Sequence, residues 1–200
     1  MPTTVAIIGA GPLGRWLALR AAEAGFRVLL EDVMPTNLLH AREALRRQLG
    51  PDTVDAASLS DLSPELRDPD QRENVAALRR IEFVRTIEDA VRNADLVIDC
   101  VPDEMESKLE IFWLLDRMAP PRTVLATPTT RQSIADLASC TYRPGQCVAI
   151  VVEASALAAD SAREILLRTT TRTAPETIAL LEEFWRGLGY APRFEADPAE

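Results

Sequence analysis

Positive charge is scarce in this chain: 22 Lys and Arg stand against 31 Asp and Glu, a formal net charge of -9, with no run of basic residues. Without a basic stripe there is nothing to neutralise phosphates along a duplex, so no nucleic-acid partner is expected. Long apolar runs are absent as well. The most apolar segments, Val5–Ile8 and Leu96–Val101, are strand-sized and far short of the ~20 residues of a membrane span, so no membrane partner is expected either. No basic region followed by an apolar stretch opens the chain, which predicts no export signal. Cysteine is sparse: Cys100, Cys140 and Cys147 are odd in number and lack Cys-x-x-Cys spacing, which argues against a disulfide framework and against a zinc or other metal site. Reduced thiols in a cytoplasmic protein are the expectation. Histidine is limited to His40, which falls on a helical pattern and is read as a surface residue. Internal repeats and low-complexity tracts are missing too.

What is present is apolar patterning. With 47% hydrophobic residues in 200 positions, the chain can bury one good core, and a single domain over 1–200 is expected. Val5–Ile8 is a short branched run leading into an Ala- and Leu-rich segment, Leu13–Ala24, closed by Gly25; Phe26–Leu30 then restarts as a second buried strand. That is a strand, helix, strand unit. A second helical pattern covers Thr36–Leu49, and Pro51–Asp70 reads as a long excursion without period. A short helix over Gln71–Arg80 follows, then Ile81–Val84 as a strand, a helix start at Thr86, and the strand Leu96–Val101. Glu106–Met118 is helical, and Thr123–Thr127, Cys147–Val152 and Arg163–Leu167 are further strands. The last helix has Thr173 as its expected cap, Pro175 in its first turn, Glu176 three residues after the cap, and Ile178, Leu181, Trp185 and Leu188 on one face. Alternating strands and helices predict a Rossmann-type, doubly wound α/β fold, its mostly parallel sheet covered by helices on both faces.

Gly9-Ala10-Gly11-Pro12-Leu13-Gly14 matches Gly-x-Gly-x-x-Gly at the junction of the first strand and helix. Gly9 permits the tight turn, Gly11 lets a pyrophosphate approach the backbone, and Gly14 lets helix pack on strand. The helix N-terminus then offers free N–H groups and the positive end of its dipole to the anion. Asp32, at the end of the second strand, stands about 20 residues beyond the glycines, where a carboxylate accepts from ribose hydroxyls. The same charge would repel a 2′-phosphate, so NAD is the predicted cofactor. Glu31 is the alternative for the ribose role.

The segment Ala94-Asp-Leu-Val-Ile-Asp-Cys-Val-Pro-Asp103, with Lys108 and Phe112 beyond it, resembles the "aDlVIEaVpE...K...F" run of 3-hydroxyacyl-CoA dehydrogenases. Counterparts continue at Thr86–Ala90, Leu125–Thr130 and Thr173–Pro192. The resemblance implies oxidation of 3-hydroxyacyl-CoA to 3-oxoacyl-CoA with NAD, in fatty acid metabolism. It implies a cofactor-binding set of Gly9, Gly11, Pro12, Leu13, Gly14, Asp32, Val101, Pro102 and Lys108. It places Asp103 where the family has the Glu that partners the catalytic His, and Lys108 near the nicotinamide ribose. From the residues alone, Asp103 is otherwise a helix N-terminal acid, and Lys108 a solvated helix face.

The departures carry as much information. The family's histidine position is Val151, which cannot take a proton, and its Ser-Asn-Thr-Ser turn is Thr127-Pro128-Thr129-Thr130. Thr130 either orients a substrate hydroxyl or caps the following helix, and Glu153 is the nearest substitute base. The family's helical second domain would begin after Ala196–Glu200 and is expected to be absent. Three readings follow: an NAD-binding protein of this type that is weakly active or inactive; a non-catalytic NAD-responsive binding or assembly module; or a dehydrogenase of another small hydroxy or keto substrate, completed by a homo-oligomer or a partner subunit. Phe112, Trp113 and the last helix are read as core, with a docking surface as their alternative.

Overall fold

The structure, a computed structural model, describes residues 3–48, 69–152 and 164–199. Strands β1 (Thr4–Ile8), β2 (Arg27–Glu31), β3 (Ile81–Val84), β4 (Leu96–Asp99), β5 (Val124–Pro128), β6 (Cys147–Val151), β7 (Glu164–Thr169) and β8 (Ala191–Ala196) form one sheet in the order β3-β2-β1-β4-β5-β6-β7-β8. Every neighbouring pair is parallel except β6 and β7. The 3-2-1-4-5-6 order is that of the doubly wound dinucleotide-binding fold, with its topological switch between β1 and β4.

Helices α1 (Pro12–Glu23), α2 (Pro35–Gln48), α3 (Pro69–Arg79), α4 (Ile87–Val91), α5 (Met105–Met118), α6 (Ile134–Ser139) and α7 (Pro175–Gly187) divide between the two faces. Val5, Ile7, Val28 and Leu30 pack against Leu17 and Ala21 of α1, Leu45 of α2 and Trp185 of α7. Ala6, Ile8, Leu29 and Val97 pack on the other face against Ala90 of α4, Phe112 of α5 and Leu137 of α6. The central strands are apolar on both sides because both sides are covered. Aromatic rings fasten α7 and the residues after it to the first unit: Phe26 and Phe184 lie 5.3 Å apart in a tilted pair, and Trp16 and Tyr190 meet edge-on at 6.0 Å, a geometry favoured by the ring quadrupoles.

Several expectations are revised. β4 ends at Asp99 rather than Val101, because the Asp99 carboxylate turns back to accept from the Val101 N–H at 2.8 Å. The last helix is capped at Ala174, without a side-chain bond. Thr173 is not the cap; its hydroxyl accepts instead from the Thr170 N–H at 2.9 Å. β8, with proline inside it, was not legible in the sequence. Phe112 and Trp185 are core, but Trp113 is 46% exposed, with the Arg117 guanidinium 4.0 Å over its ring. His40 is at the surface, as expected. Leu49 and the excursion lie outside the described residues, apart from Pro69 and Asp70 in α3. Among the described residues no helix is long and apolar enough to cross a membrane.

Candidate functional site

The carboxyl ends of β1, β2 and β4 meet at the glycine turn. Gly9 has φ of 104°, and a Cβ there would stand 3.1 Å from the Cys100 carbonyl oxygen. A Cβ on Gly14 would lie 1.9 Å from the Gly9 carbonyl oxygen, so only glycine lets α1 start this close to β1. Gly11, in contrast, faces open space. Pro12 occupies the first turn of α1 and no side chain caps that helix, leaving its first N–H groups available to an anion.

Asp32 locks the turn. Its carboxylate accepts from the Ala10 N–H at 2.9 Å, from the Met34 N–H at 2.8 Å and from the Asn37 amide at 3.0 Å. Each carboxylate oxygen retains capacity for a ribose hydroxyl, and the buried placement suits a group that fixes one end of a nucleotide. Glu31 points the other way, as alternation along a strand requires. It is buried, and burial first, then the Asp32 charge, push its carboxyl up to about 7.

Lys108 is fully buried, which overturns the solvated-face reading. Its ammonium donates to Thr127 Oγ1 at 2.9 Å, Asp99 Oδ2 at 3.2 Å and the Val101 carbonyl at 3.4 Å, while the Thr127 hydroxyl donates to Asp99 Oδ2 at 2.9 Å. Burial raises the Asp99 carboxyl above its ordinary range, and Lys108, the Val101 N–H and Thr127 offset this only in part. The network ties α5, β4 and β5 together under the turn that carries Val101 and Pro102, of which Val101 is half-buried and Pro102 exposed. Burial, then the Asp99 charge, push the Cys100 thiol above its ordinary range.

Asp103 does not cap α5, whose cap residue is Glu104. Its carboxylate instead reaches across to the loop after β5. It accepts from the Thr129 hydroxyl at 2.6 Å and the Thr130 N–H at 3.3 Å, with Arg131 Nε at 3.7 Å. Thr130 is exposed and caps nothing: Ser133 caps α6 by accepting from the Asp136 N–H. The neighbouring Thr129, which the sequence reading passed over, is the buried hydroxyl. Its own N–H donates to the Ile150 carbonyl at 2.9 Å. The pairing of Thr127 with Ala149 and of Pro128 with Ile150 puts Val151 on the face that carries Thr127 and Thr129. Asp103, Thr129 and Thr130 are thus brought together, and the apolar Val151 lies on the same face of the sheet as Thr129. Glu153 lies outside the described residues.

Sheet order, glycine turn and strand-end acid define a dinucleotide-binding Rossmann domain. Residues 4–192 match the family model described as 3-hydroxyacyl-CoA dehydrogenase, NAD binding domain. The chain belongs to the 3-hydroxyacyl-CoA dehydrogenase family and carries its NAD-binding domain. It is 33% identical over 144 residues to a probable 3-hydroxybutyryl-CoA dehydrogenase of Bacillus subtilis, a match covering 72% of this chain and 46% of that protein. It is 26% identical over 200 residues to a 5-formyl-3-hydroxy-2-methylpyridine 4-carboxylate 5-dehydrogenase of Mesorhizobium japonicum, covering 96% of this chain and 57% of that one. The crystal structure of a 3-hydroxybutyryl-CoA dehydrogenase from Escherichia coli superposes with a TM-score of 0.80 at 25% identity, over 98% of this chain and 39% of that chain. The chain therefore spans about half the length of these relatives.

Proposed function

We propose that this chain binds NAD as the cofactor domain of a hydroxyacyl-CoA-type oxidoreductase and that, in this form, it transfers hydride slowly or not at all. The observation that carries the reading is the contrast at the two ends of one cleft. Asp32 and the glycine turn are built to hold a nucleotide, whereas Val151 faces the Asp103 and Thr129 pair with no titratable atom. Bound NAD supplies the hydride acceptor for a 3-hydroxyacyl-CoA. The protein must supply a base for the hydroxyl proton, a contribution typically worth ~10²–10⁴ in rate. Asp103 is held by Thr129 and Thr130, and Thr130 offers an exposed hydroxyl that orients a substrate oxygen without accepting its proton at neutral pH. Lys108 acts on a nucleotide from below, by holding the turn that presents Val101 and Pro102.

A second reading has its own support. The Mesorhizobium relative, matched over nearly this whole chain, is a dehydrogenase of a pyridine carboxylate, which favours a small hydroxy or keto substrate, with a partner subunit or second copy completing the cleft. A purely NAD-responsive binding module rests on the same Val151. The three reduced thiols fit a cytoplasmic setting. The discriminating experiment follows NADH oxidation at 340 nm with acetoacetyl-CoA, alongside NADH binding by fluorescence. Binding without measurable turnover is expected; turnover at a rate ordinary for dehydrogenases, near the ~10 s⁻¹ median of enzymes, overturns the proposal.

A further inference from the structure

Two acids end β2, and the strand sends them to opposite faces. Asp32 is committed to the glycine turn through Ala10, Met34 and Asn37. Glu31 is 3% exposed, yet no hydrogen bond or ion pair to its carboxyl occurs among the described residues. Its oxygens are not sealed from solvent, so an unpartnered carboxyl on an otherwise buried residue stands open to a ligand.

The register locates that ligand. Glu31 lies between Ile8 of β1 and Val84 of β3, at the carboxyl ends of all three strands, with Leu29 below it on the same face. Helix α4, packed on this face, turns Ala90 and Val91 inward and keeps Glu88 and Asp89 in solvent; Arg85, after β3, is exposed. Across Ile8 the next titratable groups on this face are Asp99 and Lys108, which are bonded to each other. Asp32 is the charge that acts on Glu31. Crevices outside the carboxyl ends of the strands are where open α/β sheets take ligands. With a pyrophosphate on the N-terminus of α1 and the ribose on Asp32, the base leads away from α1 and over the end of β2.

We propose that Glu31 recognises the adenine of the bound dinucleotide, its carboxyl pairing with the edge that presents the 6-amino group beside a ring nitrogen. A carboxylic acid offers a donor and an acceptor side by side, the complement of that edge. Burial and Asp32 raise the group to about 7, so the protonated form that carries both atoms predominates below that pH and is half populated at it. The inference rests on NAD binding at this site and adds the choice of base. Removing the 6-amino group, as in the NAD analogue that carries unsubstituted purine in place of adenine, leaves the acid's acceptor without a donor whichever oxygen holds the proton.

The test is calorimetric titration of wild type, Glu31→Leu, Glu31→Gln and Asp32→Ala with NAD and with its unsubstituted-purine analogue, at pH 6 and pH 8.5. Wild type should prefer NAD by about tenfold, the worth of one net hydrogen bond of ~1.4 kcal/mol, and should bind it more weakly at pH 8.5. Glu31→Leu should lose the preference, whereas Glu31→Gln, which keeps a donor and an acceptor, should keep most of the affinity and lose the pH dependence. If NAD binds through Asp32 but Glu31→Leu leaves preference and pH profile unchanged, the adenine role is wrong and the cofactor reading stands. If wild type does not bind NAD at all, the cofactor reading itself falls.

Discussion

The two ends of the cleft are built in different currencies of structure. The nucleotide end depends on backbone: a positive φ at Gly9, a helix start that tolerates no Cβ at Gly14, and an acid that ties the turn to the next strand. The other end depends on side-chain identity: Val151 carries no titratable atom, and the Asp103 carboxylate accepts from the Thr129 hydroxyl. Backbone geometry, once folded, offers the anion site to whatever sequence preserves the glycines and the acid that ties the turn. Proton chemistry disappears with one side chain. On the proposed reading, a chain can keep a complete NAD fold whether or not the other end of the cleft keeps its acid–base chemistry.

Restoring a base would test that contrast most severely. Val151→His puts an imidazole on the face of Thr129, within the layer that carries Asp103, and should raise acetoacetyl-CoA reduction by ~10²-fold or more over wild type, read as kcat/KM. No gain, with NADH binding intact, would mean that more than the base separates this chain from turnover. The buried network between the two ends comes next. Lys108→Met leaves Asp99 buried without its cation, so unfolding in urea should show a loss of about 3–5 kcal/mol. A loss below about 1 kcal/mol would show that Asp99 is held by Thr127 and Val101 alone. The smallest effect lies at the start of α6. Burial alone would raise the Asp197 carboxyl, but the N–H groups of Ala199 and Ala135, the Ser133 hydroxyl and the Ile134 N–H outweigh it and hold the group below its ordinary range. Asp197→Ala should therefore cost about 1–3 kcal/mol at pH 7. That difference should shrink as pH falls below the ordinary aspartate value of 3.8 and toward the lower folded value, because protonation removes the charge the bonds favour. A cost that stays constant down to pH 2.5 would assign Asp197 to packing alone.

How much of this was legible follows from the same division. Gly9, Gly14 and Asp32 were readable because spacing encodes the turn directly. Lys108 was ambiguous because a lysine on a helix reads alike whether its face meets solvent or Asp99; the signal for burial was Asp99 itself, a lone acid in the apolar run Leu96–Val101. The burial of Thr129 was not legible because one residue of register decides which hydroxyl turns inward, and only the pairing with β6 sets that register. β8 was missed because Pro192 and exposed alternate residues disguise an edge strand, where proline is tolerated. Ser133 and Asp197 were missed as the pair that starts α6, since their contact spans 64 positions of sequence.

The most direct measurement is calorimetric titration of NAD into wild type and Asp32→Ala. The account predicts one site per chain, weakened at least tenfold by the substitution, as expected for loss of charge-assisted hydrogen bonds worth ~1.5–3 kcal/mol. Equal affinity in a folded Asp32→Ala protein, or no binding by wild type, would contradict it.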